Sequence, residues 1–128
     1  MTSPAMTLGN FSVSLAVKDL AASHAFYKAL GFVVRAGDPA RNWLILQNGS
    51  ATIGLHQGTF QRNMLTFNPG WDAAGNTLPQ FTDVRELQRQ LTAAGLTPVK
   101  PADETTTGPE SLILIDPDGN PVLIDQHV

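Results

Sequence analysis

Residues 111–126, SLILIDPDGNPVLIDQ, read as two strands and the tight turn between them. The apolar, partly β-branched run at 112–115 suits a strand, and the run at 122–125 resumes the same pattern. Between them, DPDGN is dense in turn chemistry. Pro117 presets φ, Gly119 supplies positive φ, and the Asp116 and Asn120 side chains can bond the local backbone.

Working outward, an earlier stretch has the same form. WLILQ–NGS–ATIGLH at 43–56 places two apolar strands around Asn48-Gly49, a strong hairpin signal. Each hairpin has a helix upstream of it. Asp19 is placed to cap a helix over 20–30, with Ala22, Phe26 and Leu30 forming its apolar stripe and Gly31 ending it. Asp83 caps a second helix, with Glu86 completing a box-like pattern, and the interval from Asp83 to Gly95 equals that from Asp19 to Gly31. Before each helix lies a strand, 11–17 in the first half and 63–68 in the second. A short strand is expected after each helix, at 32–35 and at 97–100, and Gly37-Asp38-Pro39 then breaks the first. The expectation is one α+β domain over 1–128, made of two tandem βαβββ modules at about 10–58 and 62–128.

Composition narrows the function classes. A net charge of −3 with scattered Lys and Arg leaves no basic stripe for nucleic acid. The absence of cysteine excludes a disulfide framework, a zinc–thiolate site and a cysteine nucleophile. MTSPAMTLGN lacks the basic and apolar regions of a signal peptide, and no apolar run approaches membrane-spanning length. A soluble cytoplasmic protein is expected, with residues 1–9 as a loose arm.

The halves differ at 68–82, where the second carries NPGWDAAGNTLPQFT with Trp71 and Phe81. A long loop bearing a large aromatic serves as a functional lid, a cover for the core edge, or an interface element with Trp71 as anchor. Elsewhere the plainer readings hold. His24, Arg85 and Arg89 are expected on solvated helix faces, and Phe26 and Tyr27 in the core. Glu110 is a candidate ligand contact on the surface loop before the final hairpin.

The repeated unit, the opening SVSLAVKDLAASHAFYKALGF and the ending DPDGNPVLIDQ together resemble the vicinal oxygen chelate superfamily of glyoxalase I, extradiol dioxygenases, and fosfomycin- and bleomycin-resistance proteins. The resemblance spans about 11–126 and implies an eight-stranded mixed sheet curved into a cup around a ligand, with the helices outside. It places four metal-ligand positions at Ser12, Gly54, Met64 (Asn63 if the register slips) and Leu123. These offer a hydroxyl, a thioether and no imidazole or carboxylate, which is a poor set for a hard or borderline cation. No cofactor is expected.

Period-two parity puts Ser12, Ser14, Ala16, Thr52, Gly54, His56, Met64, Thr66, Asn68, Leu123 and Asp125 on the cup face. Trp43, Phe60 and Trp71 are candidates to add flat apolar walls, though Trp43 sits on a strand apolar on both parities. The candidate ligand-binding set is Ser14, Trp43, Thr52, His56, Phe60, Met64, Thr66, Asn68, Trp71 and Asp125.

Two functions fit that lining. The first is a metal-independent protein that binds an aromatic or amphipathic small molecule, of the drug-sequestering, antibiotic-resistance kind. By the resemblance it would be a homodimer. The second is a lyase, isomerase or dioxygenase, working either by acid–base action of His56 and Asp125 or by a displaced metal on His56, Asp125 and His127.

Overall fold

The computed structural model describes residues 6–128. The elements run β1 (Asn10–Val17), α1 (Leu20–Ala29), β2 (Val33–Asp38), β3 (Trp43–Asn48), β4 (Ala51–Gln57), β5 (Met64–Asn68), α2 (Val84–Ala93), β6 (Glu110–Ile115) and β7 (Pro121–Gln126). They form one mixed seven-stranded sheet, ordered β2-β3-β4-β1-β5-β7-β6, which does not close. The pairs β1–β4 and β5–β7 are parallel; antiparallel β1–β5 pairing joins the two halves. No helix among the described residues is long and apolar enough to cross a membrane.

The sheet has seven strands where eight are expected. Near 97–100 only a bridge forms, Lys100 to Ile113, with Val99 N–H donating to the Ile113 carbonyl. Pro98 and Pro101 carry no N–H, so the segment has too few donors to extend a ladder along β6. Conversely, β2 runs through the expected break at Gly37. Its φ of +127° suits glycine, and a Cβ there would lie 2.7 Å from the Leu44 Cα and the Trp43 carbonyl oxygen. This glycine lets β3 approach closely rather than ending the strand.

Both helices lie on one face of the sheet. Val84, Leu87 and Leu91 of α2 pack on Leu112 and Ile124, with Ala102, Met6 and Leu8 completing the cluster. Of the expected loose arm, 1–5 lie outside the described residues, while Met6 and Leu8 are packed. Under α1, Leu20 meets Leu44, Leu46 and Leu55, flanked by Tyr27 and Phe32.

The α1 stripe differs from expectation. Phe26 is 61% exposed and Leu30 57%, and Ala22 is also outside. The face toward the sheet is Leu20, Ser23 and Tyr27, with Tyr27 edge-on to Phe32 at 5.9 Å. Two apolar stripes share this helix, and the tyrosine side rather than the phenylalanine side meets the strands.

Arg85, expected in solvent, is 5% exposed. Its guanidinium grips Asp83 through both carboxylate oxygens and donates to the Asp103 and Gly108 carbonyls and the Thr106 hydroxyl. Arg89 is exposed and pairs with Glu86 and Glu104.

Candidate functional site

The helix-free face carries the residues that parity assigned to it. Ser12 lies beside Thr52 and Thr66; Ser14 lies beside Gly54 and Met64; Leu123 lies beyond Thr66. Much of this face is filled by its own side chains. The Ser14 and Thr66 hydroxyls share a 2.6 Å hydrogen bond. Asn10 donates to Thr52, which donates to Gln47.

The 68–82 loop supplies the cover. Asn10 Nδ2 donates to the Asp72 carbonyl, Gln47 Nε2 to that of Ala73, and Arg35 Nε to that of Gly75. The loop also closes on itself: Asp72 Oδ1 accepts from Ala74 and Asn76 N–H, and Leu78 N–H donates to the Gly70 carbonyl. Trp71 is therefore 8% exposed. Asn68 accepts from Gly70 N–H, while its buried Nδ2 has no partner among the described residues.

Open space remains at one end of this face. A cavity of about 320 Å³ is bounded by Trp43, His56, Phe60, Asp125, His127 and Pro109, with Thr59 and Gln126 completing the wall. That volume suits a small organic molecule.

Each wall has a local cause. The Asn48-Gly49 turn fixes the β3–β4 register, pairing Trp43 with His56, so their rings lie parallel within 5° at 6.4 Å. Gly58, with φ of +80°, turns the chain so that the Phe60 ring meets His56 at 4.8 Å. Asp125 and His127 share the same strand parity, and their side chains hydrogen-bond at 3.1 Å. Trp71 lies behind His127 at 5.1 Å, with Trp43 also against it at 5.8 Å.

The remaining wall is held from behind. Gln126 points toward α2, donates to Asp83, the Gly108 carbonyl and the Val128 carbonyl, and accepts from Val84 N–H. Arg85 and Gln126 both hold the Gly108 carbonyl, which seats Pro109 at the cavity.

Of the ten sequence candidates, the structure brings Trp43, His56, Phe60 and Asp125 to the cavity. Trp71 stands one layer behind. Ser14, Thr52, Thr66 and Asn68 are engaged in the filled part of the face, and Met64 borders a separate hollow with Asn63 and Pro121. Glu110 turns away, accepting from the Asp103 and Ser111 N–H groups. His24, expected on a solvated face, is half-buried on α1. Thr59, Pro109 and Gln126 were not singled out by sequence. From sequence His127 enters only as a displaced metal ligand, although continuing β7 parity by one step marks it.

Burial pushes the His56 imidazole below its usual range, and nearby His127 adds to this. The Asp125 carboxylate opposes the shift without overcoming it. His56 is therefore a neutral ring at pH 7, and Asp125 bonds to His127 rather than to it.

The four positions implied by the resemblance do not fit a metal. A Cβ added at Gly54 would lie 3.0 Å from His56 Nε2 and 3.3 Å from Ser14 Oγ. The imidazole lies folded back over the place where a side chain at 54 would project. Leu123 and Met64 are buried apolar groups. Among the described residues no group of three or more His, Asp or Glu is arranged to hold a metal ion.

A family model described as Glyoxalase/Bleomycin resistance protein/Dioxygenase superfamily matches residues 10–124. No curated protein matches the chain. Among solved structures, a Vibrio splendidus member of that superfamily is 14% identical, with 91% of this chain and 97% of that one covered and a TM-score of 0.59. A Streptomyces coelicolor methylmalonyl-CoA epimerase in complex with 2-nitronate-propionyl-CoA is 15% identical, with 96% of each chain covered and a TM-score of 0.60. A Legionella pneumophila protein described as an NAD-dependent benzaldehyde dehydrogenase is 17% identical, with 92% and 99% covered and a TM-score of 0.64. At these identities the likeness is one of fold.

Proposed function

We propose that this chain, which belongs to the glyoxalase/bleomycin resistance protein/dioxygenase superfamily, is a metal-independent small-molecule binding protein. Its ligand, an aromatic or amphipathic compound, occupies the cavity between Trp43, His56, Phe60, Asp125 and His127. The observation that carries this reading is the Gly54–His56 exchange. At a position where the fold's metal-using members place a ligand, this chain has no side chain, and a neutral imidazole fills the space as part of an aromatic wall. Flat walls with few polar groups favour ligand retention over Lewis-acid chemistry.

A second reading rests on the Asp125–His127 hydrogen bond. A carboxylate-oriented imidazole facing a cavity is a serviceable acid–base unit. It replaces the His56–Asp125 pairing expected from sequence.

One experiment separates the two. Planar and amphipathic compounds are titrated while Trp fluorescence is followed, with and without chelator, and each bound compound is then recovered and analysed. Saturable binding that is insensitive to chelator and returns the compound unchanged supports the binding protein. Recovery of a chemically altered compound supports the enzyme. A stoichiometric divalent ion in the purified protein, lost on His56→Ala, overturns metal independence.

The wider setting is part of the same proposal. The halves 10–58 and 62–128 are read as a duplicated βαβββ unit within one domain, the second having lost a strand. The chain is read as a cytoplasmic homodimer. Phe26, Leu30, Val33 and Val34, exposed at the end of α1 and the start of β2, supply apolar surface for a second copy to cover. Light scattering is expected to give twice the 13.7 kDa chain mass; a monomer at working concentration removes this part of the proposal.

A further inference from the structure

The cavity contains one acid and no lysine or arginine. Asp125 bonds to His127 through Oδ2, and among the described residues its Oδ1 has no hydrogen-bond partner. Two cations stand outside the cavity: Lys100 donates to Ser111, the cross-strand neighbour of Asp125, and pairs with Glu110, while Arg85 stands behind the Gln126 wall with its guanidinium spent on Asp83, Thr106 and two carbonyls. Trp43, Phe60 and the His56 ring line the same cavity as this carboxylate. Burial holds that ring neutral, so it does not compete as a positive charge.

An aromatic enclosure with a single carboxylate has a definite complement. Ring faces attract positive charge through their quadrupoles, and a carboxylate oxygen accepts a charge-assisted hydrogen bond from an ammonium. An anionic ligand would meet Asp125 with no lysine or arginine in the wall, and with His127 already bonded to that carboxylate. A neutral ligand would leave that oxygen to water.

We propose that the ligand of this pocket is an organic cation: an amine whose ammonium group is held by Asp125 while its apolar or aromatic body lies against Trp43 and Phe60. This rests on the pocket assignment made above and adds the charge of the ligand to it.

Three probes of nearly equal shape test it: 2-phenylethylammonium, 2-phenylethanol and phenylacetate, titrated against the full chain by calorimetry and Trp fluorescence. The cation is expected to bind about tenfold more tightly than the alcohol, and the acetate most weakly. Asp125→Asn is expected to collapse the cation-to-alcohol ratio. Should that variant fold poorly, high salt on the unaltered protein is expected to narrow the ratio through screening. Equal binding of cation and alcohol, a preference that survives both Asp125→Asn and high salt, or a preference for the acetate overturns the cation assignment and leaves the pocket standing. Silence of all three probes overturns both.

Discussion

Arg85→Met is expected to destabilise the fold by about 3 kcal/mol, read as a lowered midpoint in urea and a fall of about 10 °C in melting temperature. Arg85 is 5% exposed and its side chain donates to a carboxylate, a hydroxyl and two carbonyls. Methionine keeps most of the aliphatic volume and removes every donor. The Gly108 carbonyl retains its bond from Gln126, and Asp83 is 42% exposed and takes up water. These two facts place the expected loss at the lower end for a broken buried pair. The pH dependence has a definite sign. Burial alone would raise the Asp83 carboxyl, but Gln126, the Arg85 N–H and its guanidinium hold it below the usual carboxylate range. A carboxylate lowered on folding stabilises above its unfolded value, near 4, and that contribution is lost as pH falls through the lower folded value. The difference between Arg85→Met and the parent should therefore narrow below about pH 4. A loss under about 1 kcal/mol at neutral pH, or a difference that does not narrow, would sink this account of the wall.

Arg85 also shows where sequence reading stops. Arg85 and Arg89 share a helix and a spacing, and nothing local distinguishes them. One is buried because the 101–109 loop folds over it, a contact made by chain distant in sequence. The same limit explains α1. Phe26 and Tyr27 are adjacent aromatics, and only the placement of β3 and β4 decides which one meets the sheet. Strand faces are different, because the period of two is a property of the backbone itself. Parity along β1, β4, β5 and β7 therefore put the right residues on the helix-free face. It could not say which of them lie in open space. That depends on the 68–82 loop, whose carbonyls take up the Asn10 and Gln47 amides. At Gly54 the resemblance implies a ligand position where the sequence has no side chain; the structure adds that a Cβ there would lie 3.0 Å from His56 Nε2.

Trp71→Ala is expected to cost about 3 kcal/mol and to abolish saturable binding in the Trp43 cavity. Sequence left this residue with three roles: lid, core cover or interface anchor. At 8% exposure it has little surface to offer a partner, so the oligomeric mass should not change. Its ring lies 5.1 Å from that of His127, which touches Trp43 on another side and bonds to Asp125. Removing the indole leaves His127 with space behind it. The imidazole then leaves the cavity edge, and Asp125 loses the partner that fixes its rotamer. Stability and affinity should therefore fall together. Trp43→Phe makes the contrast, since Trp43 borders the cavity directly and supports less of the interior: affinity should fall with stability nearly kept. Trp71→Phe, which restores most of the apolar contact, should recover most of both losses. If Trp71→Ala left the urea midpoint unchanged while halving the mass in solution, the indole would be an interface anchor and its burial against His127 would carry no weight. If stability fell but binding persisted, the 68–82 loop would be a cover for the sheet alone, and the His127 wall would stand without it.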